Sequence, residues 1–141
     1  MIPNVYLHIK TERFQKETDE DAGLVNPGMY GSELAKFIQN ALVKIGYTVP
    51  YYCNEDWGWW VEIKGFPHLM GLCIYGRSEE DGVIREYVIC SGVTDNVAWS
   101  WRKFKRVNTV IVVNKLMDDT ENILKNTDGV SSAIRENDMP W

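Results

Sequence analysis

The chain has 141 residues, 45% of them hydrophobic and 25% charged, with a formal net charge of −5, which is the make-up of one globular domain able to bury its own core. The negative balance argues against general nucleic-acid binding, because a phosphate backbone repels an acidic protein unless its basic residues are segregated. Three cysteines, Cys53, Cys73 and Cys90, cannot all pair within one chain, and each has apolar or aromatic neighbours, which suits buried thiols in a reducing cytoplasm.

The opening MIPNVYLHIKTER lacks the apolar run and cleavage site of a signal peptide, and no stretch approaches the roughly 20 apolar residues that cross a bilayer. A cytoplasmic chain without a membrane partner is the expectation. No repeat, linker or low-complexity tract divides residues 1–141, so a single domain is expected.

Residues 4–11 alternate Val5, Leu7 and Ile9 against Tyr6, His8 and Lys10, the period of a first strand. Residues 12–30, crowded with charge and then with Asn26, Pro27 and Gly28, read as a long exposed connection. Leu34, Phe37, Ile38, Ala41, Leu42 and Ile45 then recur at helical spacing, with Ser32 as N-cap and Gly46 as terminator, predicting a helix over 33–45 with one buried face.

After it the period falls to two. Tyr47–Cys53 fits a strand whose Pro50 points to an edge or a bulge. In Trp57–Lys64, Trp57, Trp59, Val61 and Ile63 share one face, and Gly58, Trp60, Glu62 and Lys64 the other. Gly65-Phe66-Pro67 turns the chain and His68–Tyr75 returns as partner strand. A polar turn over 76–82 leads to a strand at 83–91. The β-branched run VNTVIVV at 107–113 reads as a buried strand. Lys115–Lys125 fits a helix with Asp118 and Asp119 near its amino end, and 130–136 fits either a further helical turn or a strand. The order predicts an α+β fold: an antiparallel sheet of about five to six strands, with helix 33–45 and a C-terminal helix (about 115–126) packed on one face.

Two segments draw the chemistry. In YYCNEDWGWWVEIKG, residues 51–65, Glu55 and Asp56 stand at a bend before a tryptophan-rich strand. A carboxylate against aromatic surface can have a raised pKa and act as a general acid, but catalysis also needs a base, nucleophile or metal. The structural reading is preferred: Asn54, Glu55 and Asp56 satisfy turn backbone, the tryptophans fill the core, and Gly58 makes a bulge or room for an indole. Trp60 falls on the opposite face with Glu62, where it serves as a stacking platform or partner anchor, or is covered by a second layer.

WSWRKFKR, residues 99–106, gathers Trp99, Trp101 and Phe104 with Arg102, Lys103, Lys105 and Arg106. It holds no acid, so against the whole chain's −5 the remainder carries −9. Interleaved rings and cations are what a single-stranded nucleic acid or a phosphorylated ligand requires; the alternative is a surface element whose bases face the acidic loop 12–21. The acidity of the molecule disfavours nucleic acid. Only His8 and His68 are present and there is no C-x-x-C, so no zinc pattern arises. Nor is there a nucleophile elbow, a phosphate-binding glycine loop or a dinucleotide fingerprint, and Cys53 has no base near it in sequence. No metal, cofactor or catalytic residue is assigned.

The residues LAKFIQNALVKIGYTV followed by EDWGWWVEIKG resemble a loose group of small bacterial proteins in which a helix ending "GY.V" precedes an "EDWGW" strand. The resemblance spans about 33–76 and implies a bacterial, stand-alone domain, with no reaction and no catalytic residues. The function expected is therefore a non-enzymatic binding protein, immunity- or inhibitor-like, docking on a basic protein, with candidate binding residues Glu55, Asp56, Trp60, Trp99, Trp101, Arg102 and Lys103; a homodimer is admissible. The alternative is a small enzyme or small-molecule binder with a pocket between the sheet and loop 12–30, where Glu55 or Asp56 supplies acid/base chemistry and Arg102 or Lys103 holds an anion.

Overall fold

The computed structural model describes residues 1–141. Along the chain lie β1 (Tyr6–Thr11), α1 (Glu20–Gly23), α2 (Ser32–Lys44), β2 (Tyr52–Asn54), β3 (Trp59–Glu62), β4 (Gly71–Ser78), β5 (Ile84–Ser91), β6 (Val97–Ser100), β7 (Lys105–Asn108), α3 (Val110–Lys125) and β8 (Val130–Glu136). Six strands make one sheet in the order β2-β3-β4-β5-β1-β8, every neighbouring pair antiparallel, while β6 and β7 form a separate hairpin. The chain thus adopts the expected α+β class, with α2 and the C-terminal α3 packed into one core against the sheet.

Period-2 alternation decides the two faces. Leu7 and Ile9 lie opposite Ile89 and Tyr87; Ile74 lies opposite Ile89 and Trp59, and Leu72 opposite Val61. These side chains meet Leu34, Ile38 and Leu42 of α2 and Val113, Leu116 and Met117 of α3. Each fully buried aliphatic side chain of this kind contributes roughly 1.5–3 kcal/mol of transfer free energy.

Helix α2 follows the predicted periodicity and stops where Gly46 takes φ 106°. Its amino end differs from expectation. Ser32 is already helical, and Gly31 holds the cap position. The acceptor comes from a distance: Glu20 Oε2 takes the N–H of Gly31 at 2.8 Å and of Ser32 at 3.1 Å, while Oε1 takes that of Glu17 at 3.0 Å. A carboxylate at a helix amino end satisfies orphan donors and opposes the helix dipole. The same contact anchors the 12–30 connection, which is less exposed than its composition implies. Phe14 is buried against Phe37 and its carbonyl accepts the Tyr87 hydroxyl at 3.0 Å.

Two further expectations are corrected and one open choice is settled. VNTVIVV is no buried strand: β7 ends at Asn108, and α3 begins at Val110, whose N–H is accepted by Asn108 Oδ1 at 3.0 Å. Local β propensity yields to the helical spacing of Val113, Leu116, Met117, Thr120 and Leu124, all fully buried. Asp118 and Asp119 consequently fall in mid-helix, where they pair with Arg135 and Lys115. Tyr47–Cys53 is strand only from Tyr52, beyond Pro50, with an isolated bridge from Thr48 to Lys64. Residues 130–136 resolve as strand β8, pairing with the free edge of β1.

Substituting Glu20 by Ala is expected to cost about 1–2 kcal/mol of unfolding free energy, and Ser32→Ala no more than about 0.5 kcal/mol. Urea denaturation of the two variants checks the assignment; equal losses would return the capping role to Ser32.

Candidate functional site

Glu55 and Asp56 occupy the tight turn between β2 and β3. The Glu55 N–H donates to the Gly58 carbonyl at 2.7 Å, which also accepts the Asn54 side-chain amide at 3.2 Å. Asn54 Oδ1 accepts the Val25 N–H at 2.6 Å, and the Asp56 carbonyl accepts the Asn26 amide at 2.6 Å. The turn therefore straps loop 12–30 to the sheet. Gly58 is required because a Cβ there would collide with the Ile74 carbonyl. The turn also breaks the parity expected of Trp57: its ring packs on Tyr75 at 5.6 Å, on the face away from the helices, not beside Trp59.

Trp60 does project from the face opposite Trp59, as alternation demands. Its six-membered ring lies over Gly71 and Gly92, where a Cβ would be far inside van der Waals contact, and its indole N–H donates to Glu62 Oε1 at 2.8 Å. Glu62, only 3% exposed, also receives Lys64 Nζ at 2.8 Å and the Tyr51 hydroxyl at 3.4 Å. Burial pushes this carboxyl up, yet hydrogen bonds from Lys64 and Trp60 outweigh it and hold it below the usual range. Trp60 is thus half-buried in a glycine cradle and fixed at its polar edge. Cys53, Trp60, Cys73, Cys90 and Tyr6 continue this row across the sheet. All three thiols are free. Burial, with the Glu55 carboxylate beside it, raises the Cys53 thiol, the reverse of an activated nucleophile.

The 99–106 segment has a different character. It is the tip of the β6–β7 hairpin, with Trp99 opposite Arg106 and Ser100 opposite Lys105. Residues 101–104 form the loop, closed by the Lys103 N–H on Ser100 Oγ at 3.1 Å. Trp101 is 80% exposed, Phe104 72% and Trp99 41%. Trp99 packs edge to face on both Trp101 at 5.7 Å and Phe104 at 5.3 Å, and Trp101 and Phe104 lie tilted to each other at 6.4 Å. Around them Arg102, Lys103, Lys105 and Arg106 make no ion pair. Phe104 adopts φ 51°, a left-handed conformation that disfavours a bulky side chain. Phe104, Lys105 and Arg106 thus join Trp99, Trp101, Arg102 and Lys103 in one constellation. The composition of the run was legible, but its hairpin was not, because the loop has no Asn-Gly or Gly-containing turn.

The structure separates the candidate residues into two groups. The Glu55–Gly58 turn precedes β3 at its Ile74 end, whereas the hairpin follows β5 at its Ser91 end, level with Leu72 and Gly71. The cavity of about 620 Å³ between loop 12–30 and the start of α2 is lined by Lys16, Glu17, Asp19, Glu20, Glu33 and Trp59, among others, and contains none of Glu55, Asp56, Arg102 and Lys103. Acid/base carboxylates and anion-holding cations do not converge there.

The Trp60–Glu62 cluster gives a signed prediction. A carboxyl with a depressed folded-state pKa contributes stability that is present above its unfolded pKa, near 4.3, and is lost as pH falls through the folded value. Glu62→Gln should therefore lower stability at pH 7 by about 1–2 kcal/mol and flatten the decline on acidification. Thermal unfolding between about pH 3 and pH 7 checks both; an unchanged acid slope would refute the assignment.

Comparison with protein-family models, with curated proteins and with solved structures returns no match, so function rests on this geometry alone.

Proposed function

We propose that the protein is a non-enzymatic docking protein that engages a negatively charged partner surface through the β6–β7 hairpin. The observation that carries this reading is the tip itself: three exposed aromatic rings among four cations that have no partner within the molecule. Tryptophan and arginine dominate binding hot spots because they combine large apolar area with directional polar contacts. Unpaired cations steer an anionic partner towards them.

The immunity-like alternative, an acidic surface meeting a basic partner, draws on the opposite end of the sheet. Several carboxylates there are already engaged: Asp21 by Lys16, Asp81 by Arg85, Glu12 by Arg85 at 3.6 Å, and Glu20 by the amino end of α2. A group already paired at home gains less from a partner. Glu55, Asp56, Asp19, Glu79 and Glu80 make no ion pair but are scattered over several loops without exposed aromatic rings between them, so we favour the hairpin, where cations and rings are concentrated.

Two variants test the reading on immobilised heparin, a generic polyanion. The parent, despite its net charge, should be retained at low salt and eluted as salt rises, whereas Arg102→Glu with Lys103→Glu should flow through with an unchanged circular dichroism spectrum. Equal elution of parent and variant would overturn the proposal. Phe104→Gly separates the ring from the cations: glycine relieves the left-handed backbone while the ring contact to Trp99 is lost, so unfolding free energy should stay within about 0.5 kcal/mol of the parent. Its retention on heparin, which the cations set, should match the parent's.

A further inference from the structure

We infer that the anionic surface is a lipid bilayer, met by the whole hairpin end of the molecule; this rests on the docking reading above. The hairpin is not the only apolar feature of that end. Thr94 accepts the Ile2 N–H at 2.9 Å, which brings exposed Met1 beside Val97 and Trp99. Leu69 lies on the β3–β4 loop, and Ile111 opens α3 immediately after the hairpin; both are strongly exposed. Ile45, at the end of α2, borders the same cavity as Lys64, Val112 and Lys115, so the end of α2 and the start of α3 lie together here. Exposed apolar side chains from several separate segments thus share one end of the sheet with the four free cations. Glu12, Glu17, Asp19, Glu79, Glu80 and Asp81 belong to the connections at the other end, whereas the hairpin end carries fewer acids: Asp95, which lines the same pocket as Met1, Trp99 and Arg106, and Glu136 and Asp138 at the close of β8.

That distribution fits a bilayer better than the other anionic surfaces. Trp and Phe at the headgroup boundary bury their rings while flanking Lys and Arg remain in the wet, charged layer. Each cation near an anionic leaflet adds to the attraction. The protein's overall −5 would oppose approach, but distance removes the objection. Strands β4 and β5 are eight residues long, about 26 Å at ~3.3 Å per residue, and the hairpin extends beyond them. Surface fields decay over a Debye length of about 8–10 Å at 0.10–0.15 M salt, so the acidic end is screened when the hairpin touches. Single-stranded nucleic acid is a poorer fit. Bases stack on open ring faces along a basic groove, whereas these rings pack on one another at interplanar angles of 78°, 74° and 53° on a projecting tip with no groove between them. That no helix is long and apolar enough to cross a membrane has no bearing on a contact of this kind, which spans nothing.

Co-sedimentation with vesicles tests the inference. Vesicles with phosphatidylserine at roughly a third of their lipid should carry the parent down, pure phosphatidylcholine vesicles should not, and raising salt from about 0.1 M to about 0.5 M should release it. Trp101→Ser with Phe104→Ser should lower partitioning about tenfold or more while leaving heparin retention in place. Arg102→Glu with Lys103→Glu should abolish both. If the parent ignores phosphatidylserine vesicles yet still binds heparin through the hairpin, the lipid inference fails and the docking reading stands. A single-stranded oligonucleotide and polyglutamate, run in parallel, then report whether nucleic acid or an acidic protein is the partner class. If hairpin-dependent retention on heparin is missing as well, both fail. Vesicle binding by the Trp101/Phe104 variant equal to the parent's would also overturn the inference.

Discussion

A six-stranded sheet has two faces to cover, and both long helices of this chain lie on one. The other face must be closed by side chains from the sheet itself and from the tail, which determines how the tryptophans are used. Trp59 enters the helical core and donates its indole N–H to the Met29 carbonyl at 2.9 Å. Trp57 covers Tyr75, Trp60 covers Gly71 and Gly92, and Trp141 folds back against His8 with Arg77 over its ring. The cover is effective: Val88, in the middle of the helix-free face, is fully buried. Four of the six tryptophans are thereby explained by the fold. Trp99 and Trp101 are not, and they are adjacent in space.

The hairpin that carries them is firmly mounted. Thr109 is fully buried at its base and Ser100 beneath its loop. The Thr109 hydroxyl donates to the Asp95 carbonyl and its N–H to the Asn96 carbonyl at 2.9 Å, while its own carbonyl accepts the Val113 N–H at 3.0 Å within the first turn of α3. One threonine thus closes the hairpin and begins the helix. The tip projects from a fixed point without contributing to the main hydrophobic core, so its side chains are free to vary in chemistry at little cost to the fold. A site held on a rigid scaffold but energetically separate from it is what a docking element requires.

Sequence reading captured what depends on local period. The buried stripe of α2, the alternation of β1 and the opposed faces of Trp59 and Trp60 follow from spacings of three to four or of two, and they hold. It failed where a distant partner decided the outcome. Ser32 lost the capping role to Glu20, twelve positions upstream. Trp57 changed face because Gly58 yields to the Ile74 carbonyl, and the second half of VNTVIVV, from Val110, became helix because Leu116, Met117 and Leu124 extend a buried stripe that its β-branched residues alone do not reveal. The Trp60 cradle was invisible for the same reason, since Gly71 and Gly92 are remote in sequence. Of the candidate site, the aromatic and basic composition was legible, whereas the hairpin that concentrates it, and the separation of Glu55 and Asp56 from it, required the fold.

The tip would be a hazard were it not charged. Three exposed rings on a projecting hairpin invite a second tip to bury them, and full burial of such side chains is worth roughly 1.5–3 kcal/mol each. Four cations on each tip oppose that pairing. At separations near 10 Å in water each like-charged pair costs a few tenths of a kcal/mol before screening, and summed over many pairs this reaches a few kcal/mol, which offsets part of the apolar gain. The same charges change the sign of the balance against an anionic surface, where the electrostatic and apolar contributions add. Rings and cations at this tip are therefore one device: the cations discourage burial of the rings against a like tip and favour it where negative charge is waiting.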